Sequence, residues 1–298
     1  MKPAFRLLDP GEVSGPRSQA LYHGVARTMA EAAPDTVILC HPASTCFCVG
    51  HHQDPEAELD LAFCRAAGYP VLRREIGGGA VLLDRDQLFY QVIVHASRAP
   101  LRVDAIYARF LAAPMATLRE LGLEARLEGT NEIEVRGRRI AGTGGGRIGD
   151  AMVLTGNLLF DFPYDLMTRA WRAPSPAFRT LAGQALRDSL TTLRRELGFI
   201  PDRKQVAERL ARAFGDTVGR PLERGALTAR EEAAVAEAEA ELLAPAVEAP
   251  AVRPPRALKI ARGVYVHEVE GGARLERPRG QGFVTTKTHG HEAGEGLA

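Results

Sequence analysis

From residue 5 to about residue 162, short apolar runs alternate with longer stretches in which apolar positions recur every three or four residues. Phe5 to Leu8, Thr36 to Cys40, Cys46 to Gly50, Tyr69 to Glu75, Ala80 to Leu83 and Leu88 to His95 read as strands. The last of these, LFYQVIVH, is rich in the β-branched and aromatic residues that fit a pleated, buried surface. Arg17 to Ala32 has helical spacing. Pro55 to Ala67 reads as a helix, with Asp54 as N-cap, proline at the first helical position and Gly68 as the stop. Val103 to Leu121 is a longer helix with Ile106, Phe110, Leu111 and Leu118 as its apolar positions and Gly122 behind it. Glu124 to Glu128, Glu132 to Val135, Arg139 to Gly142 and Ala151 to Phe162 add strands, and a further helix starts near Pro163. This order predicts an α/β chain of the α+β type, with a mixed, mostly antiparallel central sheet flanked by helices.

After about residue 190 the pattern changes. Pro201 to Phe214 and Thr228 to Leu243 read as helices, the second opening on a Thr228–Glu231 capping box and rich in alanine and glutamate. Pro245, Pro250, Pro254 and Pro255 make a stiff linker. A small β-hairpin is expected at Ala257 to Glu276, turning at Gly271–Gly272, and the segment from Gly280 onward reads as disordered. The expected division is a catalytic domain over 1–195, a helical C-terminal region over 196–246, and linker, hairpin and tail over 247–298.

Composition narrows the partners. The chain has 298 residues, 45% hydrophobic and 25% charged, with a formal net charge of +1. That balance gives no reason to expect nucleic acid or a membrane surface. No run of about 18 apolar residues is present. The N-terminal segment lacks an apolar core and is not expected to act as a signal peptide. Cys40, Cys46, Cys48 and Cys64 are the four cysteines, and this crowding suits a reducing cytoplasm better than a disulfide framework.

The chemistry concentrates in two glycine runs. Arg73-Arg74-Glu75-Ile76-Gly77-Gly78-Gly79-Ala80 puts paired arginines before a backbone that can approach a ligand closely and aim its amides at an anion. The arginines suit a phosphate or carboxylate. Strands on both sides exclude a P-loop and a dinucleotide fingerprint, each of which needs a following helix. A plain glycine turn with solvated arginines is the alternative. Gly142-Thr143-Gly144-Gly145-Gly146 follows Arg138-Arg139-Ile140 in the same way, and two such loops at strand ends would wall a pocket for an acyl phosphate ester. Cys46-Phe47-Cys48 with His51 and His52 lacks the spacing of a common zinc site, so no metal site is expected. Asp84 and Asp86 read as turn residues between strands.

RREIGGGAVLLDRDQLFYQVIV resembles the first signature block of the lipoate–protein ligase A / octanoyltransferase family. NEIEVRGRRIAGT (131–143) is similar to the second block, and Leu154 to Asp161 to the strand after it. The likeness covers about residues 5–245. It implies a tunnel for an eight-carbon acyl chain and an enzyme that uses ATP and Mg2+ to activate lipoate or octanoate as acyl-AMP. The acyl group would then pass to a lysine of a lipoyl-domain acceptor protein. By the same resemblance Arg73, Arg74, Gly77, Gly78, Gly79, Ala80, His51, Asn131, Gly142, Thr143 and Gly156 would contact the acyl-adenylate.

The departure is Arg139, which stands where the family pattern has its essential lysine and is the candidate catalytic residue. Arginine keeps the charge but is larger, planar and never deprotonated. It would act as a phosphate clamp, share its role with Arg138 and Arg147, or leave activation impaired. Transferases of the family use a cysteine just upstream of the second block, where this chain has Glu124 to Thr130 and none. An ATP-independent lipoyl or octanoyl transferase is therefore the alternative, and a non-catalytic lipoate-binding member or one needing a partner subunit is a third reading. A biotin ligase fits less well, for want of its charged adenylate loop.

Overall fold

In the computed structural model, which describes residues 5–219, 221–243 and 257–277, the apolar run around Leu88 becomes a central strand covered on both faces. The first half of the chain forms β1 (Phe5–Val13), α1 (Gly15–Arg27), β2 (Asp35–Pro42), β3 (Cys46–Val49), α2 (Pro55–Glu58), α3 (Leu61–Ala66), β4 (Val71–Arg73), β5 (Val81–Leu83), β6 (Gln87–His95) and α4 (Val103–Glu120). There follow β7 (Ala125–Glu128), β8 (Glu132–Val135), β9 (Arg138–Ile148), β10 (Ala151–Leu159), α5 (Tyr164–Ala170), α6 (Pro176–Ser189), α7 (Leu193–Leu197) and α8 (Arg203–Val218). The last described elements are β11 (Glu223–Arg224), α9 (Ala229–Leu243), β12 (Ala257–Ala261), β13 (Val264–Val269) and β14 (Gly272–Glu276).

The large sheet has the order β11-β1-β2-β6-β10-β9-β8-β7. β1 pairs in parallel with β11 and β2, and the remaining pairings are antiparallel. This is the mixed, mostly antiparallel sheet that the sequence predicts. A strand buried on both faces needs apolar residues at odd and even positions. β6 meets that need: Leu88, Tyr90, Val92 and Val94 pack with α4 and α8 on one side, while Phe89 and Ile93 pack with α1 and α9 on the other. Gln91, within this run, is fully buried and donates to the Ser18 carbonyl at 2.6 Å.

A second, three-stranded sheet, β4-β3-β5, lies beside the first. Its alternation places Cys46 and Cys48 in the core under α1 and Phe47 and Val49 in a third core with α5, α6 and the C-terminal strands. The helices of the region expected over 196–246 pack into the cores of the main sheet. α7 and α8 contribute Leu193, Val206, Leu210 and Phe214 to one face, and α9 contributes Val235, Ala238 and Leu242 to the other. The Thr228–Glu231 capping box is present, with Glu231 N–H donating to Thr228 Oγ1 at 3.2 Å and Thr228 N–H to Glu231 at 2.7 Å.

Several elements differ from the sequence reading. The helix expected over Pro55 to Ala67 is two short helices, α2 and α3. Leu59 is extended (φ −125°, ψ 147°) and buried, and Asp60 caps a new helix by accepting from the Phe63 N–H. The strand expected over Tyr69 to Glu75 is confined to Val71–Arg73. The expected C-terminal hairpin has three strands, turning at Gly271 (φ +75°) as expected. The second glycine run is not a loop at a strand end, since Arg138–Ile148 is one continuous strand paired through Gly144, Gly145 and Gly146 with β10. Glycine is disfavoured inside a strand, and here its missing side chain is used for space. The proline linker (Pro245, Pro250, Pro254, Pro255) and the tail after residue 277 lie outside the described residues.

Candidate active site

The first glycine run joins β4 to β5, and its shape is set by Arg74. This residue is buried, and its guanidinium donates to the carbonyls of Cys48 (3.2 Å), Gly77 (3.1 Å) and Gly79 (2.9 Å). Those bonds fold the loop back on itself, with Gly78 at φ +109°, where a side chain would be strained. The loop then rests across β9. A Cβ on Gly144 would sit 3.3 Å from the Gly77 carbonyl oxygen, and one on Gly146 would sit 3.2 Å from Ile76. The two glycine runs are thus a loop and the flat floor beneath it.

Between them opens a cleft of about 250 Å³. Its apolar lining includes Leu159, Phe162, Met167, Trp171, Leu186 and Leu190. Its polar lining includes Asn131, Glu132, Arg139, Thr143, Asn157 and Lys259. Glu132 is only 5% exposed. It stands 3.6 Å from the Arg139 guanidinium and accepts the Arg262 N–H at 3.2 Å. Asn131 donates from Nδ2 to the Thr143 carbonyl at 2.8 Å, and Thr143 Oγ1 lies 3.0 Å from the Tyr90 hydroxyl, whose proton burial holds on firmly. Asn157 accepts from the Gly142 N–H at 3.4 Å and donates to Gln87 Oε1 at 2.7 Å, and Gln87 Nε2 donates to Asp84 at 3.2 Å. Burial pushes the Asp84 carboxyl up to about 6, a rise tempered by its bond from the Asp86 N–H.

Of the residues singled out from sequence, Arg139, Arg74, Gly78, Gly79, Ala80, Asn131, Gly142, Thr143 and Gly156 line this one cleft. Gly77 belongs to the same loop, where its carbonyl holds Arg74. Arg73 points away: it is exposed, donates to the His51 carbonyl at 2.8 Å and lines a separate depression with His52. His51 is likewise exposed. Lys259, Glu132 and Asn157 were not singled out. Lys259 lies on the C-terminal strands beyond the recognisable blocks. Glu132 and Asn157 carried only the weak signal of a polar residue within an apolar strand.

All four cysteines are free and buried, and none lines the cleft. Burial pushes the Cys40 thiol up to about 12 and the Cys64 thiol up to about 11, and it raises Cys46 and Cys48 also. A thiol nucleophile needs a stabilised thiolate in reach of substrate, and none of these meets that condition. Among the described residues no cluster of three or more His, Cys, Asp or Glu could hold a metal ion, and no helix is long and apolar enough to cross a membrane.

The glycine loop, the glycine strand and the cleft between them place apolar side chains and fixed cations around one opening. Residues 17–215 match the lipoyl protein ligase A/B catalytic domain, and the chain belongs to that family of enzymes. Octanoyltransferase LipM of Symbiobacterium thermophilum is 28% identical over 257 residues, covering 78% of this chain and 93% of the relative. Lipoate-protein ligase A subunit 1 of Thermoplasma acidophilum is 24% identical over 194 residues, covering 62% and 72%. In structure, the bi-partite lipoate protein ligase of Thermoplasma acidophilum superposes with a TM-score of 0.72 at 22% identity, over 80% of this chain and 93% of that one. A lipoate-protein ligase A bound with ATP does so with a TM-score of 0.67 at 21% identity, over 81% and 95%. Both confirm the fold.

Proposed function

We propose that this protein is an acyl–protein ligase that activates lipoate or octanoate with ATP and passes the acyl group to a lysine of a lipoyl-domain protein. The observation that carries the reading is a single cleft lined both by large apolar side chains and by Arg139, with no cysteine in its lining. An acyl chain seated against Met167, Trp171 and Leu186 puts its carboxylate beside Arg139 and Asn131. The carboxylate oxygen then attacks the α-phosphorus of ATP, and the bond to the pyrophosphate oxygen breaks with its electron pair. Arg139 is suited to hold the resulting acyl phosphate through its planar fork of donors. Glu132, across from it at 3.6 Å, orients the guanidinium in the free protein. Mg2+ would enter with the nucleotide and offset its phosphate charge. In the second step the acceptor lysine's amine bonds to the acyl carbon, and AMP leaves with the electrons of the acyl–oxygen bond.

A second reading, direct transfer from an octanoyl thioester, draws on the name of the relative matched over 93% of its length. It has no cysteine to carry the acyl group here. The two are separated by lipoate-dependent exchange of pyrophosphate into ATP. The ligase reading expects exchange in the wild type and a loss of roughly 10²–10³-fold in Arg139→Ala, the usual effect of removing one oxyanion donor. Absence of exchange, with octanoyl transfer from a carrier-protein thioester, would establish the second reading instead.

A further inference from the structure

The chain uses arginine for nearly every basic position: of 38 Lys and Arg residues, only Lys2, Lys204, Lys259 and Lys287 are lysines. One of these four, Lys259, lines the cleft. It lies on β12, which the family match over 17–215 does not reach. Leu258 and Ile260 on either side are buried in the core shared with α6, and Ile260 lines the cleft too, while Lys259 itself is exposed. The pairing of β12 with β13 shifts register between Lys259 and Ala261, a bulge of the kind that re-aims a side chain next to a site.

The neighbouring residues fix β12 in place. The Arg262 N–H donates to Glu132 at 3.2 Å, and the Arg262 guanidinium stands 3.9 Å from Glu128. Glu132 therefore binds both Arg139 and the backbone just beyond Lys259. The cleft's other cations are already engaged: Arg74 by three carbonyls and Arg139 by Glu132. Lys259 has no ion-pair partner among the described residues, which leaves its ammonium free for a ligand.

We propose that Lys259 is a catalytic residue of the acyl-transfer step, supplying from the C-terminal strands the compact point charge that Arg139 cannot provide. This rests on the reading of the cleft as an acyl-transfer site, whichever donor fills it. As the acceptor nitrogen bonds to the acyl carbon, an electron pair moves onto the carbonyl oxygen. It returns when the bond to the leaving oxygen (or sulfur, from a thioester) breaks and the leaving group departs with that bond's electrons. The amine's extra proton passes to solvent. Lys259 keeps its own proton throughout and donates hydrogen bonds to the oxygens that carry the charge. An ammonium fits between two such oxygens, whereas a guanidinium grips one group bidentately. The C-terminal strands are thereby a functional part of the site.

The test is single-turnover transfer from lipoyl-AMP, and separately from an octanoyl carrier-protein thioester, to an isolated lipoyl domain by full-length protein, followed by mass spectrometry. Lys259→Ala is expected to slow the first-order transfer rate about 100-fold, with lipoyl-AMP affinity changed far less and thermal unfolding unchanged. Lys259→Arg should fail to restore the rate, and added methylammonium should partly rescue Lys259→Ala. A Lys259→Ala rate within threefold of wild type, or acylation of Lys259 itself, would overturn the assignment. A wild type that transfers from neither donor would overturn the acyl-transfer reading, and this inference with it.

Discussion

Asp84 is buried with its carboxyl raised to about 6 by that burial, and it holds the end of a hydrogen-bond chain through Gln87 and Asn157 to the Gly142 amide. A carboxyl whose folded value lies above its unfolded one favours the folded state at low pH, and that contribution is lost as pH rises from about 4 through about 6. Asp84→Asn keeps the oxygen that accepts from Asp86 and Gln87 and removes the charge. Above pH 7 it should stabilise the protein by about 1–3 kcal/mol, and the gain should vanish near pH 4. Melting curves of both proteins across that range check it, and equal melting temperatures at pH 8 would refute the assigned burial cost. The same residue shows how far the site could be read from the chain. Asp84 is a turn residue as expected, accepting the Asp86 N–H at 3.1 Å, while its link to the cleft depends on Gln87 and Asn157 meeting across two strands. The paired arginines looked equivalent in sequence. Arg74 became a buried staple and Arg73 an exposed residue on the far side, because consecutive residues leaving a strand face opposite ways.

β9 and β10 show what element-level patterning carries and what it omits. The apolar runs located nearly every strand, because burial on two faces leaves an unmistakable signal. The glycine run in β9 defeated that reading, since glycine has no side chain to report a face and its usual association is with turns. Its role is to let other groups approach. Gly156 of β10 shows the same use: a Cβ there would lie 2.4 Å from the Tyr90 hydroxyl, and Tyr90 is fully buried. Gly156→Ala is therefore expected to destabilise by about 1–3 kcal/mol, the usual cost of overpacking. Gly144→Ala meets the Gly77 carbonyl at 3.3 Å and Ile76 at 3.7 Å, both in the glycine loop. It should displace the glycine loop, weakening acyl-adenylate binding several-fold with little change in unfolding free energy. Denaturant titration beside ligand titration separates the two effects. The helix expected over Pro55 to Ala67 is broken for a tertiary reason: Leu59 is drawn out of helical geometry to bridge Trp171, a contact with no local sequence signal.

Across the whole molecule, α9 is bound back to the first strand by a buried ion pair. Arg6 donates to Glu231 at 3.0 Å, and each side chain is only 10% exposed. Burial raises the Glu231 carboxyl, and the bonds from Arg6 and Thr228 more than offset that, holding it below the usual carboxylate value. Its contribution to stability is present at neutral pH and lost as pH falls through the carboxylate range. Glu231→Ala leaves Arg6 buried without its partner and should cost about 3–5 kcal/mol, measured as a lower melting temperature at pH 7 and a smaller difference below pH 4. The long-range packing that seats the C-terminal strands also completes the cleft, and it brings in Lys259, more than a hundred residues from Arg139. Such closure is invisible to any local pattern. The measurement that bears most directly on the proposed activity is incubation of the full-length protein with lipoate, MgATP and an isolated lipoyl domain, read by intact-protein mass and by AMP release. The ligase reading requires one lipoyl group on a lysine of the acceptor and one AMP released for each group transferred. An unmodified acceptor, or acylation that proceeds from an octanoyl thioester without ATP, would contradict it.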